Sequence, residues 1–216
     1  MTRDDALRRN VIAELEWEPS ITAAHIGVTA EDGVVTLSGH VHSYPQKHAA
    51  ELAALRVKGV QAVAEEIEVQ LPVETQRGDD ALAAAAIHRL SWDVAVPAGA
   101  IQVRVEKGWV TLTGQVDRHH QKEAAGEDVR GLMGVTGLSN LVAVKSMVDT
   151  SNITDDITHA LHRSWVFDPN AVRVRADGGK VRLTGTVRTP HERRVAAATA
   201  WTEPGVTEVE NDIVVA

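Results

Sequence analysis

Gly33-Val34-Val35-Thr36-Leu37-Ser38-Gly39-His40-Val41 returns as Gly108-Trp109-Val110-Thr111-Leu112-Thr113-Gly114-Gln115-Val116, and again as Gly179-Lys180-Val181-Arg182-Leu183-Thr184-Gly185-Thr186-Val187. Each copy is followed, twenty residues after its second glycine, by a Gly-Val pair: Gly59-Val60, Gly134-Val135 or Gly205-Val206. A motif repeated in register sets the architecture before any single residue does. Apolar residues alternate with polar ones on both sides of the first glycine: Ile26/Val28 and Val35/Leu37/Val41, Ile101/Val103 and Val110/Leu112/Val116, Val172/Val174 and Val181/Leu183/Val187. Period two predicts two half-buried strands, and Asp32-Gly33, Lys107-Gly108 or Gly178-Gly179 supplies the positive φ of a tight hairpin. The second glycine falls on the inward face of the second strand. We read it as the place where a helix presses onto the sheet.

An Ala-rich segment of helical length comes next: Gln46 to Val57, Gln121 to Met133 and His191 to Trp201. The Gly-Val pair then stops the helix. Gly126 and Gly131 weaken the second of these helices, since an interior glycine costs about 1 kcal/mol relative to alanine. Apolar residues one, four and eight after the stop (Val60/Val63/Ile67, Val135/Leu138/Val142, Val206/Val209/Ile213) predict a third strand. A strand reached through a helix is expected to lie parallel to the one before it. Each copy opens with a further helix, marked by Asp4-Asp5, Asp79-Asp80 or Asp155-Asp156, residues suited to a helix N-terminus. Val11/Ile12/Leu15, Leu82/Ile87/Leu90 and Ile157/Leu161 supply its apolar face, and Trp17, Trp92 or Trp165, read as packing anchors, close it. The expected fold is α+β: three tandem α-β-β-α-β modules over 1–72, 78–146 and 152–216, each a three-stranded mixed sheet with two helices on one face. Short linkers are expected near Pro72–Gly78 and Ser146–Asn152.

The pattern apolar-x-apolar, Gly-x-Val-x-Leu-x-Gly-x-Val, Ala-rich helix, Gly-Val-x-x-apolar, then Asn and a strand resembles the BON domain, named for bacterial OsmY and nodulation proteins. Copies two and three end in Asn140 and Asn211; copy one departs from the pattern with Glu65. The resemblance covers nearly the whole chain. It implies non-enzymatic modules that bind phospholipid or make protein contacts at the bacterial envelope under osmotic or other stress. Relatives of this kind are commonly periplasmic, and no catalytic residues carry over.

Composition narrows the rest. The 216 residues contain no cysteine, which excludes disulfides and thiol chemistry, and no apolar run long enough to span a membrane. No signal peptide is visible at the start. A soluble protein is expected, cytoplasmic as written, or periplasmic if an export signal has been removed. The net charge of −8 is uneven: residues 1–75 hold 6 basic and 12 acidic residues, while 76–149 and 150–216 each hold 8 and 9. Nucleic-acid binding is therefore not expected. Gly131-Leu132-Met133-Gly134 reads as a helix stop, not as an RNA-clamping loop.

Outward positions carry the candidate contacts. Arg173, Arg175, Lys180, Arg182 and Arg188 cluster in copy three and suit an anionic ligand or lipid head group, unless Glu210 and Asp212 neutralise them across the sheet. Glu66 and Glu68 in copy one form an opposed acidic face suited to interdomain or partner contact. Trp109 points outward beside its hairpin; burial at an interdomain contact is expected, with a membrane or protein interface as the alternative. Among ten histidines, His40 and His42 share a strand face, His119 and His120 adjoin, and His159 and His162 lie three apart on a helix. No copy repeats another's histidines, and no metal or cofactor is expected. No hydrolase elbow, P-loop or dinucleotide fingerprint occurs. The sequence reading is a non-enzymatic scaffold or self-associating protein, with phospholipid binding as the alternative.

Overall fold

The structure, a computed structural model, describes residues 3–145, 152–163 and 171–216. The α-β-β-α-β order is present three times. The first module comprises α1 (Arg3–Trp17), β1 (Ile26–Glu31), β2 (Val34–Val41), α2 (Tyr44–Arg56) and β3 (Ala62–Val69). The second has α3 (Asp79–Trp92), β4 (Ile101–Glu106), β5 (Trp109–Val116), α4 (His119–Arg130), and a third strand broken into β6 (Gly137–Asn140) and β7 (Ala143–Val144). The third has α5 (Ile153–Arg163), β8 (Val172–Asp177), β9 (Lys180–Val187), α6 (Pro190–Thr202) and β10 (Glu208–Val215). In every sheet the second strand is central, antiparallel to the first and parallel to the third. Each module buries its own core of Val, Leu, Ile and Ala.

The second glycine of the repeat has a different purpose from the one expected. A Cβ on Gly39, Gly114 or Gly185 would collide with the carbonyl oxygen of His25, Ala100 or Ala171, the residue just ahead of the neighbouring strand. The φ angles are +112°, +133° and +139°. The close neighbour is thus the backbone entering the hairpin, not a helix, and only glycine tolerates both the contact and the angle.

The tryptophans correct a second expectation. Leu7, Val11 and Leu15, and likewise Leu82, Ala86 and Leu90, are the buried residues of α1 and α3. Trp17 and Trp92 stand two residues past the last of these, about 200° round the helix, and so face away from the core. They are 84% and 73% exposed, and Ile87, off the same stripe, is 59% exposed. Trp165 and most of the Ser146–Asn152 linker lie outside the described residues. Asp79, expected to cap its own helix, instead accepts the Lys107 and Gly108 amides at 2.8 and 2.9 Å, tying the β4–β5 hairpin to α3.

One polar lock joins helix to third strand. Asn140 donates to the Lys122 carbonyl (2.7 Å), and Asn211 donates to that of Arg193 (2.9 Å). The first module keeps the junction by other means: Lys47 pairs with Glu65 at 2.8 Å and donates to the Ile67 carbonyl at 2.7 Å. Helix α4 forms despite Gly126, which is buried where a Cβ would come to 3.0 Å from the Asn140 amide nitrogen.

Gly185→Ala is expected to destabilise the third module by about 3 kcal/mol or more, since angle and collision add. Denaturant unfolding combined with hydrogen exchange of the β8 and β9 amides measures it. Asn140→Ala should cost about 1–2 kcal/mol in the second module through the orphaned Lys122 carbonyl, read in the same way.

Candidate functional site: outer sheet faces and the helical junction

Among the described residues no polar or charged residue is fully buried, so the available chemistry lies on surfaces. The three modules meet through helices: α6 packs against both α2 and α4. Tyr44 of α2 packs against the core of the second module, and this burial pushes its phenol up from the usual range. Burial, and Arg56 nearby, pull the Arg194 guanidinium of α6 down, with Glu51 opposing. His119 at the start of α4 stacks on Trp201 of α6, with ring centres 4.1 Å apart and planes 10° from parallel. Trp201 is therefore the tryptophan at the junction. Trp109, expected there, instead lies over Gly137 of its own sheet, donates to Ser139 at 2.9 Å and stays 47% exposed.

With helices meeting, the outer faces of the sheets remain open. In the third module β10 runs beside β9 so that Glu208 faces Lys180 and Glu210 faces Arg182. Lys180 pairs with Glu208 at 2.7 Å; Arg182 pairs with Glu210 at 3.0 Å and Asp212 at 2.9 Å. The Glu208 carboxylate raises the Lys180 ammonium above its usual range. Arg188 is engaged at the start of α6, its amide donating to Glu192 (2.8 Å) and its guanidinium 3.4 Å from the same carboxylate. Arg173 and Arg175, on the edge strand β8, are exposed and make no ion pair among the described residues. Arg175 stands directly opposite Arg182, a like-charge pair.

The first module differs. Glu66 and Glu68 are exposed on β3 without an ion-pair partner among the described residues. Glu66 faces Ser38 and Glu68 faces His40. Beside them His25, His40 and His42 form a cluster with ring centres 4.7 to 6.0 Å apart. The sequence reading found His40 and His42 but missed His25. Its signal is the pairing of Ile26 with Gly39, which sets the preceding residue beside His40. Among the described residues no three of these groups already converge as metal ligands.

The BON domain model matches residues 3–70, 78–146 and 149–216. The chain belongs to the BON domain family. It is 31% identical to Osmotically-inducible protein Y of Escherichia coli (strain K12) over 146 residues, 66% of this chain and 73% of that one. It is also 37% identical over 68 residues to an uncharacterized protein in the gshII 5'region of Anaplasma centrale, spanning 32% of this chain and 44% of that one. Among solved structures, CdsD, a structural protein of the Type III secretion system of Chlamydia trachomatis, aligns over 98% of this chain and 92% of its own. It does so at 16% identity and a TM-score of 0.28, too low to bear on fold or function. Among the described residues of this BON protein, no helix is long and apolar enough to cross a membrane.

A cleft of about 480 Å³ lies where the second and third modules meet, lined by Asp117, Arg118, Glu123, Glu127, Trp201 and Glu203. Burial, with Asp156 nearby, raises the Glu203 carboxyl; Arg118 partly offsets this. A carboxyl more basic folded than unfolded loses stability for the fold as pH rises through its raised value. Glu203→Gln is therefore expected to raise the melting temperature at pH 7, with the gain shrinking as pH falls to about 4. Paired thermal scans across that range check it; no gain at pH 7 means that the Glu203 charge carries no net penalty in the fold.

Proposed function

We propose that this BON protein is a non-enzymatic, stress-associated interaction protein that presents three separate sheet faces to partners and to further copies of itself. The arrangement of helices inward and sheet faces outward carries this reading. The stress association rests on the likeness to Osmotically-inducible protein Y of Escherichia coli. The faces differ in charge, which suits them to choosing partners and register. The first offers Glu31, Glu66 and Glu68 with no Lys or Arg among its outward strand positions; the third offers Arg173 and Arg175 along its β8 edge. Contact between these two within one chain is not favoured, because the modules meet through α2, α4 and α6. Contact between chains runs from the first module of one copy to the third of the next, a head-to-tail association.

A second reading, binding to an anionic phospholipid surface, keeps support from the unpaired Arg173 and Arg175 and from the half-exposed Trp109. It is weakened by the pairing of Lys180, Arg182 and Arg188 with acids of their own module.

Sedimentation velocity tests the self-association. Arg173→Glu with Arg175→Glu, and separately Glu66→Arg with Glu68→Arg, are each expected to reduce association. An equimolar mixture of the two variants should restore it, and salt should weaken it. A chain that stays monomeric under all conditions overturns the self-associating form. Co-sedimentation with anionic but not zwitterionic liposomes, lost in the Arg173/Arg175 variant, selects the lipid reading instead.

A further inference from the structure

The histidine cluster of the first module is not used by the interaction reading. Its members are placed by backbone, not by chance side-chain meeting. His40 lies near the end of β2 and His42 one residue past it, with ring centres 6.0 Å apart. His25 precedes β1, and its carbonyl sits against Gly39, where no side chain other than hydrogen fits. The other modules carry Ala100, Gln115 and Asp117, and Ala171, Thr186 and Arg188, at the matching places, so the cluster is no by-product of the repeated core.

We propose that His25, His40 and His42 bind a divalent transition-metal ion of the zinc type on the outer face of the first sheet. Neutral imidazoles suit zinc, nickel and copper ions. Two imidazoles on one tetrahedral ion, with zinc–nitrogen bonds of about 2.0–2.1 Å, place their ring centres about 5 Å apart. The three separations here, 4.7, 6.0 and 6.0 Å, bracket that spacing. His25 and His40 now stack within 14° of parallel, so their nitrogens do not converge. His25 and His42 are exposed, and turning their rings displaces no core residue. The Nδ1 of His42 lies 3.5 Å from the Gln70 carbonyl, the sort of outer partner that leaves Nε2 for a metal. Glu68 faces His40 in the register and Glu66 stands two residues along the same row, so the field favours a cation there. Three ligands leave a fourth position open, which suits reversible capture; the module's core is complete without an ion.

Isothermal titration of the untagged full chain with zinc chloride at pH 7.5 tests the site. One ion per chain is expected, with the bound ion removed by an excess of chelator. His40→Gln with His42→Gln should weaken binding by at least about tenfold, as loss of ligands requires. His159→Gln with His162→Gln, the pair on α5, should leave binding unchanged. Circular dichroism confirms that both variants fold. No binding by the native chain, or binding that survives the His40/His42 change, overturns the proposal.

Discussion

The close approach of one backbone to another at Gly39, Gly114 and Gly185 is the constraint on which each module depends. The carbonyl of His25, Ala100 or Ala171 occupies the space a side chain would take. This fixes where the first strand enters the hairpin and therefore its register. Register in turn decides which residues face the helices, because a slip of one residue would turn every side chain to the other side. The buried Val35/Leu37/Val41 set and its two counterparts, and the outward rows that alternate with them, follow from that one contact.

Much of this was legible in the sequence, since period-two alternation and glycine spacing are local signals. The element order, the parallel third strand and the helix stops could all be read from them. The failures were of two physical kinds. Trp17 and Trp92 read as packing anchors by size and position at a helix end, although angular position on the helix decides the matter and turns both outward. Gly39, Gly114 and Gly185 were assigned a helix as neighbour; alternation alone cannot show that the near backbone belongs to the strand's own partner. Asn140 and Asn211 were recognised as part of a pattern, but their purpose, a side-chain hydrogen bond to a helix carbonyl, needed the fold. The exchange of Asn for Glu65 then reads as a coupled change with Lys47.

The candidate faces were less legible, because charge counted along one strand ignores the strand beside it. Five cations were visible in the third module, and their weight as a site depended on β10. Its parallel register brings Glu208, Glu210 and Asp212 into the same rows, leaving Arg173 and Arg175 at the far edge. Surface ion pairs of this kind contribute only about 0–1 kcal/mol to stability. Their larger consequence is to cancel the field that an anionic ligand would meet. The junction residues His119, Tyr44, Arg194 and Trp201 lie on helix surfaces whose neighbours come from other modules, a long-range fact that no local spacing carries.

What the three modules share and where they differ separate along the same line. The positions common to all are the ones that make a module fold: the core alternation, the close-approach glycine and the helix stop. The outward positions diverge: acids and histidines in the first, Trp109 over Gly137 in the second, paired and unpaired cations in the third. Had the repeat served stability alone, the outer faces would be free to be similarly bland. Three dissimilar faces on one helical junction instead allow several weak contacts to act together. Under the proposed interaction reading, engagement of the first face would hold the others near the same partner or surface, so the effective concentration for a second contact would be set by the junction and not by bulk solution. Such a molecule needs no deep pocket and no single strong site, which accords with a chain that buries no polar or charged residue whole among the described residues.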